Sequence, residues 1–162
     1  MKKTDWKKPT TIAVLVFIAV FIFFLANESK ADTNIELVPG YTFAGGKKYN
    51  GTGALLTERF NNKYDVGFTL IASQSCDCRF GDYSSNLGVQ AQRVVLWNNF
   101  EIGLGVAYWN NQTPALGSNT TFSLSAGYNF NNGVGIKWRH YSTGGSSPSN
   151  QGLDMVTIGY RF

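Results

Sequence analysis

Charge is scarce in this chain of 162 residues. Asp, Glu, Lys and Arg make up 15% of it, against about 25% in ordinary soluble proteins. Cysteine is nearly absent, and two residues are too few for a disulfide scaffold. Histidine occurs once, at position 140. The longest apolar run, Ile12 to Ala26, has 15 residues, short of the ~20 that span a bilayer as a helix. A mean hydropathy of −0.14 likewise excludes a bundle of membrane helices. From Asp32 onward no stretch repeats its apolar residues at helical spacing. What is abundant is aromatic residues, 15%, and glycine, 18 residues. That composition excludes a disordered tail and a coiled coil.

The formal charge of +4 and pI near 9.1 suggest nucleic acid until the charges are located. Lys2, Lys3, Lys7 and Lys8 precede the apolar run, and Ser29-Lys30-Ala31 supplies small residues at a possible cut. Residues 1–31 thus read as a secretory signal peptide, and residues 32–162 as the mature domain. Removing the leader takes five of the 14 basic and two of the 10 acidic residues, leaving 9 and 8, a net of +1. Nucleic acid is therefore not an expected partner.

The mature segment alternates apolar and polar residues with period two, the mark of strands with one face of each kind. Eight strands are expected, at 34–43, 51–60, 63–72, 82–97, 99–109, 119–130, 133–142 and 152–162. In 99–109, for example, Phe100, Ile102, Leu104, Val106 and Tyr108 oppose Glu101, Gly103, Gly105 and Ala107. In 51–60 either face qualifies as apolar. In 82–97 Arg93 shares the apolar stripe, which suggests a bulge near Gln92. Asn61-Asn62, Asn98-Asn99 and Asn131-Asn132 suit tight turns, because Asn tolerates a left-handed backbone. The other connections, about 44–50, 73–82, 110–118 and 143–151, are longer. An even number of ~10-residue strands, with short turns at one end and long loops at the other, predicts an all-β fold. Its form is an eight-stranded antiparallel transmembrane β-barrel of the outer-membrane type. Tyr64, Trp97, Phe100, Tyr108, Phe130 and Tyr160 would form its aromatic girdles. Ile158-x-Tyr160-x-Phe162 resembles the terminal signal of outer-membrane proteins. Glycines inside the wall would relieve crowding in a narrow lumen.

Extending the lipid-facing parity of the last two strands to the outer rim brings His140, Ser142 and Asp154 onto the bilayer side, with His140 and Asp154 at similar height. Ser, His and a carboxylate are the parts of an activated nucleophile: Ser attacks, His carries its proton, and the carboxylate orients the His. Outward at the rim, they could reach a headgroup ester without the lipid leaving the membrane. Polar residues at a rim cost only ~0–1 kcal/mol, so position alone does not require catalysis.

His140-Tyr141-Ser142-Thr143-Gly144-Gly145, with Pro148, Asn150, Gly152 and Asp154 following, resembles the C-terminal signature of the outer-membrane lipid A 3-O-deacylases. The resemblance implies an eight-stranded barrel in the Gram-negative outer membrane that hydrolyses the 3-O-linked 3-hydroxyacyl chain of lipid A in lipopolysaccharide. It implies Ser142, His140 and Asp154 as catalytic residues, Gly145 and Asn150 as oxyanion donors, and a site facing the outer leaflet. No cofactor or metal enters such a serine-esterase mechanism. The partners implied are lipid A and the surrounding outer-membrane lipid, and a homodimer is left open. The chain departs from the signature in three places. Asp154 stands for a Glu, Thr143 for an Asn, and Ser149 separates Pro148 from Asn150. A lipid A acyltransferase and a non-catalytic adhesion or structural barrel are the alternatives. Lys47-Lys48, in the first outer loop, could meet lipid A phosphates. Cys76-Asp77-Cys78 suits a strained loop disulfide, or no role, better than a metal site.

Overall fold

The computed structural model describes residues 32–75, 82–144 and 152–162. Residues 1–31, expected as a signal peptide, and Cys76 and Cys78 lie outside the described residues. Ten strands follow one another: β1 (Asp32–Val38), β2 (Tyr41–Ala44), β3 (Lys47–Asn50), β4 (Gly53–Phe60), β5 (Tyr64–Ile71), β6 (Asn86–Trp97), β7 (Phe100–Trp109), β8 (Thr120–Asn129), β9 (Val134–Ser142) and β10 (Leu153–Arg161). All pairings between them are antiparallel, and each of β4 to β10 joins the next. β1 pairs with β4 on one side and, from Asn34↔Arg161 to Leu37↔Ile158, with β10 on the other. Eight strands thereby close into a barrel without a free edge, as a sheet in lipid requires.

The remaining two strands correct the expected pattern. The strand expected over 34–43 breaks at Pro39-Gly40, where Pro offers no N–H and Gly40 takes φ 92°. Beyond the break, β2 leaves β1's course and pairs with the upper part of β10, Ala44↔Leu153 to Thr42↔Met155. Much of the expected loop 44–50 is strand. β2 and β3 form a hairpin over Gly45-Gly46, both with positive φ. The bulge expected near Gln92 is also absent. β6 keeps one register against β5 and β7 throughout, and Arg93 points outward opposite Tyr64 and Leu104. It sits five residues before Asn98, where a long side chain reaches the interface with its charge in water. The turns follow the expected chemistry with one variation. Asn61, Asn62 and Asn98 adopt positive φ, whereas in the last turn Gly133 takes it.

The wall is apolar outside and, in the lower part of its lumen, charged within, the inverse of a soluble sandwich. Leu37, Leu70, Ile102, Leu104, Val106, Phe122, Ile136 and Ile158 are exposed. In 51–60 it is Leu56 that faces out and Leu55 that faces in. The lower lumen, toward the tight turns, holds ions. Arg139 grips the Glu36 carboxylate through Nε and Nη2 at 2.7 and 2.6 Å. Lys137 Nζ bridges Glu36 and Glu101 at 2.9 and 2.7 Å. Arg59 binds Asp65 through two hydrogen bonds and Glu101 through one, and Arg161 also reaches Glu101. The upper lumen is apolar, with Val38, Tyr49, Leu55, Ile71, Trp109, Leu116, Tyr141, Leu153 and Met155 packed together. Glycine admits the largest of these. A Cβ on Gly88 would stand 2.7 Å from the Trp109 ring, and one on Gly105 only 1.9 Å from the Ala91 carbonyl oxygen. Within this plug Tyr49 and Tyr83 stack at 4.6 Å and share a 2.8 Å hydrogen bond between hydroxyls. Burial, reinforced by that bond, pushes the Tyr83 phenol above its ordinary value. No helix of the described residues is long and apolar enough to cross a membrane.

Candidate active site

β9 alternates strictly. Gly135, Lys137, Arg139 and Tyr141 turn into the lumen, leaving Ile136, Trp138, His140 and Ser142 on the outer face. β10 matches it, with Val156, Ile158 and Tyr160 outward. The register between them pairs Ile136↔Ile158, Trp138↔Val156 and His140↔Asp154. The polar pair is thus the continuation of an apolar stripe, directly opposed across two neighbouring strands. Opposed side chains on one face have Cβ atoms ~4.5–5.5 Å apart.

The geometry of the pair follows from that register. His140 Nδ1 and Asp154 Oδ1 stand 2.9 Å apart, with side chains 30% and 35% exposed. Because a carboxylate only accepts, Nδ1 carries the proton and the Nε2 lone pair is left for another partner. Asp in place of Glu loses no contact, since direct opposition makes the shorter side chain long enough. Ser142 lies two residues along the same strand face, half-buried, with Phe122 opposite it on β8. It makes no hydrogen bond to His140 in this arrangement. Two strand residues span ~6.6 Å.

Two neighbours hold the imidazole in place. Trp138 stacks on it, with centroids 5.8 Å apart and planes inclined by 20°, and donates its Nε1–H to the same Asp154 Oδ1 at 3.1 Å. Gly152 passes above it with φ 69°, where a Cβ would come within 2.7 Å of His140 Cε1. By strand parity alone Trp138 is one more aromatic of the outward wall. The signal that marks it is its place two residues before His140 on the same face, diagonal to Asp154. Gly145 and Asn150 lie outside the described residues. A small pocket under the upper loops, lined by Ile71, Gln74, Tyr83, Thr113 and Leu116 among others, shares no residue with this outward site. Among the described residues no group of three or more His, Cys, Asp or Glu could hold a metal ion.

The arrangement sets a serine, a histidine and a carboxylate on one outward face of the wall, at the end away from the tight turns. The model of the lipid A 3-O-deacylase (PagL) family matches residues 57–162, a span that holds all three side chains. Among solved structures, the crystal structure of the outer membrane enzyme PagL is similar at 20% identity and a TM-score of 0.49. That match covers 81% of this chain and 98% of the other. No curated protein matches the chain.

Proposed function

This chain belongs to the lipid A 3-O-deacylase family, matched over residues 57–162, and we propose that it performs the hydrolysis as a serine esterase through Ser142, His140 and Asp154. The observation that carries the assignment is the 2.9 Å contact of His140 Nδ1 with Asp154 on the outer face. With Nδ1 committed to the carboxylate, Nε2 is the ring nitrogen available as a base.

Ser142 Oγ attacks the ester carbonyl while His140 Nε2 takes its proton. Asp154 holds the ring's tautomer and stabilises the imidazolium that forms. The bond from the carbonyl carbon to the sugar oxygen then breaks, and His140 returns the proton to that oxygen. Water, deprotonated by the same nitrogen, attacks the acyl-enzyme and releases a 3-hydroxy fatty acid and free Ser142. Backbone N–H groups near Gly145 and Asn150 are the proposed oxyanion donors, each such donor contributing ~3–4 kcal/mol in comparable sites. The site faces the outer leaflet in this reading, because the tight turns and both ends of the barrel wall lie at the opposite, periplasmic rim. An ester at headgroup depth then meets Ser142 with its acyl chain still lying along the apolar wall.

Mass spectrometry of lipid A from expressing cells tests the proposal. Loss of one 3-hydroxyacyl chain is the expected product. Ser142→Ala and His140→Asn each reduce deacylation by ~10³-fold or more while the barrel remains heat-modifiable in gels. Full activity in either variant would sink the triad. A gain of an acyl chain would favour transfer, and unchanged lipid A a non-catalytic barrel.

A further inference from the structure

Across the strands at the height of the site runs one outward row. Its members are Leu124 on β8, His140 on β9, Asp154 on β10, Phe43 on β2 and Lys48 on β3, each opposed to the next. The last two exist on this row only because the chain breaks at Pro39-Gly40 and sends β2 alongside β10. Phe43 and Tyr41 are exposed on the same face. Lys48 Nζ rests 3.5 Å from the centroid of the Tyr41 ring, which draws the ammonium back over the outer face of the wall. No described carboxylate pairs with it. The other outward cations that the structure describes, Lys63 and Arg93, belong to the tight-turn end of the barrel. Lys47, at the hairpin tip, is opposed to the inward Ala44 and so belongs to the other face.

We propose that Lys48, held by Tyr41 and flanked by Phe43, is the substrate-phosphate subsite of the enzyme, acting on the sugar whose ester Ser142 cleaves. This rests on the deacylase reading and adds to it what selects the substrate. Strands are ~4.8 Å apart, so the Lys48 backbone stands ~10 Å from that of Asp154 and ~14 Å from that of His140. A lysine side chain reaching back ~6 Å covers much of that distance, and the phosphorylated glucosamine of lipid A carries its phosphate about one ring width from the 3-ester. The ammonium supplies three donors to an anion, and Phe43 supplies apolar surface between the two subsites. Phosphate recognition of this kind fixes the sugar while the reacting carbonyl stays at Ser142. Its loss therefore weakens binding and leaves the chemical step intact.

The test measures deacylation in detergent micelles with phosphorylated lipid A and with the same lipid A after removal of its phosphates. For Lys48→Ala, KM on phosphorylated lipid A rises ~5- to 10-fold with kcat unchanged, and kinetics on the phosphate-free substrate match the wild type. Lys48→Arg keeps wild-type values on both. Equal effects of Lys48→Ala on the two substrates, or a fall in kcat alone, would overturn the subsite and leave the deacylase standing. Failure of the wild-type protein to cleave either substrate would overturn the deacylase reading and the subsite together.

Discussion

The site's most demanding residue is one with no side chain. Gly152 takes φ 69° and runs so close to His140 that any Cβ would stand 2.7 Å from the imidazole. Gly152→Ala is therefore expected to push the ring off Asp154 and lower kcat at least ~10-fold, with the folded barrel's heat-modifiable mobility unchanged. Trp138 contributes in two separable ways, a stacked face and an N–H to Asp154. Trp138→Phe keeps the first and loses the second, so deacylation should fall by only ~3- to 10-fold, about the worth of one ordinary hydrogen bond. Trp138→Ala should cost more, and equal losses in the two variants would show that the N–H does not matter. Asp154→Asn leaves the shape but removes the charge that stabilises the imidazolium, and steady-state rates should fall ~10²- to 10⁴-fold.

Among the elements, β6 and β7 show how the narrow wall accommodates its contents. Trp109 is fully buried, meets Tyr141 edge-on at 5.0 Å and donates to Thr121 at 3.0 Å, and it fits because Gly88 lies opposite. Gly88→Val would drive a side chain into that ring, at a cost of ~1–3 kcal/mol for an overpacked core. Urea titration of the barrel in lipid vesicles would show the lowered midpoint. The element that sequence reasoning misread is the first one. A Pro-Gly pair inside an alternating run breaks the ladder, yet where the freed segment goes is set by β10, which has unpaired edge to offer above Ile158. The predicted loop thus became the β2–β3 hairpin.

At the scale of the whole molecule, the lower lumen binds distant parts of the chain through charge. Glu36, Glu101 and Asp65 meet Lys137, Arg59, Arg139 and Arg161 across six strands. Replacing Glu36 with Leu strands the buried Arg139 and leaves Lys137 with Glu101 alone, and breaking such a pair costs about 3–5 kcal/mol. Unfolding of Glu36→Leu in vesicles should show a loss of that size, partly restored when Arg139 and Lys137 are also made neutral. These residues were readable as a polar face, but not as a network. Glu36 and Arg139 lie 103 positions apart, and closure of β1 onto β10 is what brings them within reach.

Period-two alternation is a property of adjacent residues, so the eight strands of the closed wall, its apolar outer face, the tight turns and the outward parity of His140, Ser142 and Asp154 were determined by the sequence alone. Tertiary structure decided what depends on register between strands. It opposed His140 to Asp154 so closely that an Asp suffices, laid Trp138 against both, kept β6 in phase with Arg93 outward, and brought Lys48 into the site's row. Which residues share a face is a local fact of backbone geometry. Which of them touch depends on how far each strand slides along its neighbour, and in a closed barrel that is set by all eight strands together.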